Sequence, residues 1–298
     1  MIDLTLGSMQ VSVLPESRHQ YFPTEFLFND LTAEDARRNA DWLGPEFIRP
    51  DTLELGLAFQ SFVIRRNDLN ILVDSCNGNE KNRPTALWQH DLRSGEFMKN
   101  LAGLGLRPED IHIVLCTHLH CDHVGWNTRL ENGRWVPTFP NARYIFNRTE
   151  FEHYAALNAA PGTGPANHGS FDDSVLPVVR AGLADFVDDD FHAVRELEER
   201  VLLEPSPGHS PGHVCIRLDA PTDSAIIVGD AIHHPVQLDM PHMVMRADTD
   251  PAAAIQTRRR LMTECAESGT WLMAGHFPHM PMGRVRAHGD VFRLQPAD

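Results

Sequence analysis

Residues 117–123 read Thr-His-Leu-His-Cys-Asp-His, and this stretch says more about the fold than any other part of the chain. Zinc takes histidine and carboxylate ligands, and four such residues lie here: His118, His120, Asp122 and His123. Because side chains alternate along an extended backbone, His118 and His120 should point one way while Leu119 points into the core. The chain must then turn, so that Asp122 and His123 address a second metal ion. The spacing therefore predicts a dinuclear site.

Three segments further along the chain supply candidate ligands where such a site needs them. The doubled Pro-Gly-His of residues 207–213 breaks secondary structure and exposes His209. Asp230 and His276 each follow a short apolar run that is typical of a strand. The alternatives are a histidine-rich surface loop or a single structural ion. The downstream residues favour the dinuclear site over both.

The hydrophobic pattern around these motifs indicates alternating strands and helices. Antiparallel strands are predicted in the first third of the chain, over residues 9–14, 57–66 and 70–74. Helices are predicted over 31–42, 91–104 and 173–183, from near Thr149, and from Asp250–Pro251 to Gly269. A strand over 111–116 and a hairpin over 134–147 are predicted, with later strands around 201–205, 214–219, 224–230 and 271–275. Two sheets with helices outside them are the natural layering for this order.

The composition excludes some classes of binding partner and indicates the cellular compartment. With 41 acidic against 26 basic residues, the net charge of −15 repels phosphate backbones and anionic lipids, so neither nucleic acid nor a membrane is an expected partner. The five cysteines form no CxxC pair, which indicates a reducing, cytoplasmic location. Cys116 and Cys121, beside the ligands, are interpreted as small buried hydrophobes because the ligand set is complete without them. The first ten residues lack the basic region of a signal peptide, and no apolar run approaches the about 18 residues of a membrane span, so we expect a soluble protein.

Taken together, the motifs resemble those of the metallo-β-lactamase superfamily. The HxHxDH stretch, the PGH of His209, the Gly-Asp of Asp230 and the Gly-His of His276 occur in the family's order, and the likeness extends from Phe59 to Phe277. It implies an α/β fold, a four-layer αβ/βα sandwich of two mixed β-sheets flanked by helices. We expect a single domain over residues 1–298, with an N-terminal extension over 1–55 and an insertion over 126–205 that shapes the substrate pocket.

The resemblance also implies a role for each ligand. Two zinc ions per chain are expected, the first bound by His118, His120 and His209, the second by Asp122, His123 and His276, with Asp230 bridging both. Asp74 matches the acid that ends an early strand in this family and is expected to support the ligands. His213 repeats the PGH motif, but family members use the first histidine of the pair, so we assign it a structural or supporting role.

Two zinc ions of this kind imply hydrolysis, and two further side chains are predicted to take part in it. Asp122 is placed to pass a proton to the leaving group or to orient the nucleophile. The spacing from His209 to His276 is similar to that of the methyl parathion hydrolase and quorum-quenching lactonase branch. Those lactonases commonly carry a tyrosine three residues after the bridging aspartate, where this chain has His233, followed by His234. An imidazole at position 233 can still donate a hydrogen bond to an oxyanion; the alternative is that the two histidines orient ligands or form a satisfied polar pair.

The expected reaction is therefore the opening of a lactone or the cleavage of a small carboxylic ester, as in an N-acyl homoserine lactonase. The alternatives are a phosphotriester or aryl-ester hydrolase of the methyl parathion type, a hydrolytic dehalogenase and a non-enzymatic metal-binding module. Four aromatic residues are expected to line an apolar pocket: Trp126, Trp135, Phe139 and Phe146. For Trp135 and Phe146 the alternative is that they fill the core of an added hairpin. The loop over 159–169 is either a lid or a solvated connector. A small-molecule substrate and a second copy in a homodimer are the expected partners.

Overall fold

The computed structural model describes residues 3–162, 164–189, 191–195 and 199–295. Its strands are β1 (Asp3–Leu6), β2 (Met9–Phe22), β3 (Leu55–Arg66), β4 (Leu69–Val73), β5 (Ile113–Leu115), β6 (Thr128–Glu131), β7 (Arg134–Pro137), β8 (Arg143–Asn147), β9 (Ala184–Val187), β10 (His192–Arg195), β11 (Arg200–Pro205), β12 (Val214–Asp219), β13 (Ser224–Ile227), β14 (Trp271–Met273), β15 (Met282–His288) and β16 (Val291–Gln295). Its α-helices are α1 (Thr24–Leu27), α2 (Ala33–Leu43), α3 (Glu96–Gly103), α4 (Arg148–Ala159), α5 (Leu176–Arg180), α6 (Val236–Asp239) and α7 (Pro251–Ser268). None of the helices in the described ranges combines the length and the hydropathy that a membrane span requires.

Two seven-stranded sheets and one two-stranded hairpin account for these strands. The first sheet has the order β1-β2-β3-β4-β5-β8-β9, the second runs from β10 to β16 in sequence order, and β6 pairs with β7. Both large sheets are mixed: β4, β5, β8 and β9 are parallel neighbours in the first, and β13 and β14 in the second. The predicted fold class, α/β with two large mixed sheets and helices, is confirmed.

The chain divides into two compact units, and each is built from two separate segments. Unit 1 comprises residues 1–16 and 60–193, and unit 2 comprises residues 17–59 and 194–298. The predicted extension over 1–55 supplies β1 and β2 to the first sheet, and the predicted insertion over 126–205 supplies strands to both large sheets. Both ranges therefore contain elements of the fold itself. Within the insertion, Thr163, Asp190 and residues 196–198 lie outside the described residues.

The long helices begin and end where the sequence predicts. The Thr32 hydroxyl caps α2 by accepting a hydrogen bond from the Asp35 N–H at 3.1 Å. The Asp250 carboxylate caps α7 in the same way, with Pro251 in the first turn. Gly269 ends α7 in the left-handed region, at φ 73°.

Three sequence predictions of secondary structure are wrong in detail. Helix α3 begins at Glu96 rather than at residue 91, because Asp91 has a left-handed φ of 48° that a helix cannot contain. The helix predicted over 173–183 is a π-helical turn, Phe171–Val175, that continues into α5 and ends at Arg180.

The hairpin predicted over 134–147 is also wrong. The hairpin is β6–β7, joined by Asn132 and Gly133, whose φ values of 49° and 75° suit the tight turn that Asn-Gly favours. Strand β8 instead lies parallel to β5, because its buried Tyr-Ile-Phe run is the kind that a parallel strand covered on both faces requires.

Candidate metal centre

Within unit 1, the HxHxDH stretch follows the carboxyl end of β5. Strand β5 is parallel to β4, with Leu115 opposite Val73, so the residues after both strands leave the sheet at one edge. Asp74 directly follows β4 and accepts hydrogen bonds from the N–H and the hydroxyl of Thr117, both at 2.8 Å. The carboxylate at the end of one strand therefore fixes the start of the ligand stretch on the next.

Unit 1 brings the four ligand candidates of this stretch together. The ring centroid of His118 lies 4.6 Å from that of His120 and 4.1 Å from that of His123. Asp122 Oδ2 lies 3.9 Å from His123 Nε2, and the Asp122 side chain is 15% exposed against 5% for His123. Asp122 is therefore the more open of these two neighbours.

Within unit 2, Asp230 and His276 also follow two parallel strands. Ile227 at the end of β13 lies opposite Met273 at the end of β14, and each ligand candidate comes three residues later. Asp230 Oδ1 lies 3.1 Å from His276 Nε2, and Asp230 Oδ2 lies 3.2 Å from His209 Nε2. One buried carboxylate thus faces a candidate ligand histidine with each of its oxygens.

The residues fit a zinc centre by the way their rings are held. In four ligand candidates, Nδ1 lies within hydrogen-bond distance of a protein oxygen: His118 with Thr117 Oγ1 (3.1 Å), His123 with Asp74 Oδ2 (2.9 Å), His209 with Asp248 Oδ1 (3.0 Å) and His276 with Ala58 O (2.9 Å). A ring held through Nδ1 presents Nε2 to a metal ion. Imidazole and carboxylate donors suit zinc.

The charge balance in unit 2 also favours a cation. Burial lowers the pKa of His209, but the carboxylates of Asp230 and Asp248 outweigh burial and raise that pKa to about 9. In the absence of a metal ion, a proton on His209 would balance these carboxylates. A zinc ion, with two positive charges, would neutralise these carboxylates more fully than one proton does.

Two further histidines of unit 2 have both ring nitrogens committed to the protein. His213 Nε2 accepts a hydrogen bond from the Asp230 N–H at 3.0 Å, and its Nδ1 lies 2.7 Å from a serine hydroxyl. His234 Nδ1 accepts from the Val236 N–H at 3.1 Å, so its Nε2 donates to the Phe47 carbonyl at 3.0 Å. Burial lowers the pKa of His234 to about 4, so the ring is neutral. His213 holds the backbone of Asp230, and His234 links the backbone at Val236 to the backbone at Phe47.

His233 differs from both of these. Its Nε2 lies 2.9 Å from Asp230 Oδ2, and the side chain is 2% exposed. Within the described residues, neither Nδ1 nor Nε2 makes a hydrogen bond that meets normal geometry. Burial lowers the pKa of His233, although Asp230 opposes the shift, and this favours the neutral ring. The structure therefore places an imidazole with a lowered pKa beside Asp230.

Three buried acids that sequence reasoning misses support the ligand segments. The Glu16 carboxylate accepts hydrogen bonds from the Asn77 N–H at 2.9 Å and from Trp126 Nε1 at 2.6 Å. The Glu150 carboxylate accepts from the Leu119 N–H, between His118 and His120, at 3.1 Å. The third is Asp248, at His209 Nδ1. No local pattern marks these residues, because each is remote in sequence from the ligand segment that it contacts.

A close backbone contact fixes the turn that follows the ligand stretch. The Gly125 N–H donates to the Cys76 carbonyl at 2.8 Å, and the Trp126 N–H donates to the Ser75 carbonyl at 2.8 Å. A Cβ on Gly125 would lie 1.9 Å from the Asn77 carbonyl oxygen. Only glycine allows the two turns of unit 1 to approach so closely.

The aromatic residues proposed as a pocket lining are largely core. Trp126, Phe139 and Phe146 belong to the buried hydrophobic cluster of unit 1, and Trp126 stacks on Phe97 with ring centroids 5.4 Å apart. Trp135 is half-buried, with the Lys81 ammonium 3.6 Å from the ring centroid. The three buried rings therefore fill the hydrophobic core of unit 1, and the interpretation that they line an apolar pocket is not supported for them.

The loop over 159–169 is anchored in its second half. Asn167 Nδ2 donates to the Leu119 carbonyl at 2.8 Å, inside the ligand stretch, and His168 Nδ1 lies 2.7 Å from Thr85 Oγ1. Both loop residues have a left-handed φ, 49° and 55°. Movement of this loop as a lid stays a prediction.

The cysteines beside the ligands are buried, as the sequence predicts. All five cysteines are free and buried. Burial raises the pKa of the Cys121 thiol to about 12 and raises that of Cys116 further. Thiolate ligation by either residue is therefore disfavoured.

Comparison with known proteins identifies the family. The sequence model of the metallo-beta-lactamase superfamily matches residues 60–264, more than half of the chain. The chain belongs to the metallo-β-lactamase superfamily. Relatives of this metallo-β-lactamase chain include the N-acyl homoserine lactonase AttM of Azorhizobium caulinodans, 27% identical over 179 residues, and the N-acyl homoserine lactonase of Bacillus thuringiensis, 25% identical over 177 residues. Each match covers 59% of this chain, and the chain spans 61% and 60% of the length of these two relatives.

A solved structure extends the likeness over the whole metallo-β-lactamase fold. AidC, a dizinc quorum-quenching lactonase in complex with a product, superposes with a TM-score of 0.78 and 19% sequence identity, over 100% of this chain and 97% of that chain. At this identity the likeness establishes the fold.

Proposed function

We propose that the chain is a metal-dependent hydrolase that opens a lactone, as an N-acyl homoserine lactonase does. The observation that carries the proposal is the Asp230 carboxylate, whose two oxygens face Nε2 of His276 and of His209 at 3.1 and 3.2 Å. A carboxylate held in this way is suited to bridge two metal ions. The lactonase relatives support a lactone over other small esters.

The proposal assigns seven residues to two zinc ions. One ion would be held by His118, His120 and His209, the other by Asp122, His123 and His276, and Asp230 would serve both. Two bound zinc ions would supply a hydroxide nucleophile near neutral pH and polarise the lactone carbonyl. Binding, orientation and proton transfer fall to the chain's own side chains.

Asp122 is proposed to hold and release the proton of the ring-opening step. The water oxygen bonds to the carbonyl carbon, the ring C–O bond breaks, and the departing alkoxide oxygen takes up a proton. A carboxylate within reach of both oxygens can carry that proton. The greater exposure of Asp122, 15% against 5% for His123, supports this role.

His233 is proposed to donate a hydrogen bond to the oxyanion that forms on the carbonyl oxygen. A neutral imidazole carries one N–H, and preorganised donors of this kind stabilise the charge that develops in the transition state. The assignment is supported by the place of the ring beside Asp230 and by its two nitrogens, neither of which has a hydrogen-bond partner among the described residues, so the N–H is left for the oxyanion. In this role His233 replaces the tyrosine that the related lactonases commonly carry.

We also propose a small-molecule substrate, a homodimer and a cytoplasmic location. Five free, buried cysteines suit a reducing compartment. Twofold dimers are the commonest symmetric oligomers, and light scattering after size-exclusion chromatography tests this point.

A substrate panel tests the function. Zinc-loaded protein is assayed against N-acyl homoserine lactones, aromatic lactones and p-nitrophenyl phosphotriesters, with His209→Ala as the inactive control. We expect lactone turnover that the His209→Ala variant loses. Triester turnover without lactone turnover would instead favour the methyl parathion hydrolase type. Bound zinc without any turnover would favour the metal-binding module.

A further inference from the structure

We infer that Asp248 is a positioning residue for His209, which it holds so that Nε2 faces the metal; the inference rests on the proposed function. Asp248 Oδ1 lies 3.0 Å from His209 Nδ1, and the two side chains are 0% and 1% exposed. Because both side chains are buried, the contact fixes both the orientation and the tautomer of the ring.

The backbone of His209 is held by the same segment as its ring. The His209 carbonyl accepts two hydrogen bonds from Thr249, one from the N–H and one from Oγ1, both at 3.0 Å. The Asp250 N–H donates to the Gly208 carbonyl at 2.8 Å. A Cβ on Gly208 would lie 2.2 Å from the Ala254 nitrogen, so the ligand loop is pressed against the start of α7. Residues 248–250 therefore set the position of the whole ligand.

The Asp248 carboxylate cannot turn away from His209, because its other oxygen is also held. Asp248 Oδ2 accepts a hydrogen bond from the Met245 N–H at 3.0 Å and lies 3.6 Å from Arg258 Nη2. The Arg258 side chain is fully buried on α7, and its Nε donates to the Ala231 carbonyl at 3.0 Å, next to Asp230. One helix residue thus connects the support of His209 with the turn that carries Asp230.

The carboxylate also acts on the chemistry of the ligand. When it accepts a hydrogen bond from Nδ1–H, the Nε2 lone pair is left for the metal, and the negative charge of the carboxylate makes Nε2 a stronger donor to the metal. An asparagine at position 248 would keep the oxygen and the size but lose the charge. Loss of such a partner typically lowers metal affinity by about 10–100-fold.

The test measures zinc affinity by competition with a chelator for the wild-type chain and for Asp248→Asn, Asp248→Glu and Asp223→Asn. Asp223 is the matched control: it is also an acid of unit 2, and it accepts hydrogen bonds from Trp271 Nε1 at 3.0 Å and Arg284 Nη2 at 2.7 Å. We expect Asp248→Asn to weaken zinc binding by about 10–100-fold. Asp248→Glu should recover part of that loss, and Asp223→Asn should bind zinc as the wild type does. Cobalt-substituted proteins should show a changed visible absorption spectrum for Asp248→Asn alone.

The outcomes separate the inference from the proposed function. Wild type that binds no zinc would overturn both. Wild type that binds zinc with an affinity equal to that of folded Asp248→Asn would overturn the inference alone. If Asp248→Asn does not fold, the histidine ¹⁵N spectrum of zinc-loaded wild type decides, with the His209 signals identified by their loss in His209→Gln. A slowly exchanging proton on His209 Nδ1 would support the inference, and a deprotonated Nδ1 would overturn it.

Discussion

At the scale of single residues, the same substitution should have different effects at two adjacent histidines: loss of activity at His233 and loss of stability at His234. His233→Phe keeps a ring of similar shape but removes the donor beside Asp230, which His233 Nε2 approaches to 2.9 Å. We expect kcat for lactone hydrolysis to fall by about 10²–10³-fold, the typical loss for one oxyanion donor. Zinc content should stay at the wild-type level, because the seven proposed ligands are intact. Steady-state kinetics and metal analysis of the same preparation measure both quantities.

His234→Phe is the matched control and a stability prediction of its own. The substitution leaves the Phe47 carbonyl and the Val236 N–H without their buried imidazole partner. We expect the free energy of unfolding to fall by about 1–3 kcal/mol, the cost of a buried polar group left unsatisfied. Urea denaturation measures it, and kcat should remain near the wild-type value. Equal losses of kcat in both variants would contradict the division of roles.

At the scale of elements, the close approach of two turns in unit 1 should make Gly125 intolerant of any side chain. Gly125→Ala places a Cβ 1.9 Å from the Asn77 carbonyl oxygen, so the turn after the ligand stretch must shift. We expect a destabilisation of about 1–3 kcal/mol or more, as for other overpacked sites, together with weaker zinc binding. Gly95→Ala is the control, because a Cβ there meets nothing within 4 Å. Thermal unfolding compares the two, and a tolerated Gly125→Ala would show that the turns can separate at little cost.

The sequence predicts the ligand-bearing elements better than the side chains that support them. Asp230 and His276 follow short apolar strands, a local signal that a sequence displays directly. The supporting acids lie far along the chain from their partners: Glu16 is 110 positions from Trp126, Asp248 is 39 from His209 and Glu150 is 31 from Leu119. Such contacts exist only once the chain is folded, so no local pattern predicts them. The β6–β7 hairpin is missed for another reason. Its Asn132-Gly133 turn is a local signal, but the apolar residues over 134–147 suggest a hairpin further along the chain.

At the scale of the whole molecule, zinc should stabilise the folded chain. Replacing a single proposed ligand, in either unit, should remove much of that stabilisation. Any ion that binds only the folded chain stabilises it, by about 2.7 kcal/mol at a free concentration of 100 Kd. We therefore expect a chelator to lower the melting temperature of the wild type and added zinc to restore it. His118→Ala, in unit 1, and His276→Ala, in unit 2, should each lose bound zinc and lose stabilisation. Calorimetry with metal analysis measures both effects, with the exposed His288 replaced by alanine as the control. Two zinc ions retained in either ligand variant would contradict the ligand assignment, because one of the two ions would then be held without a residue assigned to it.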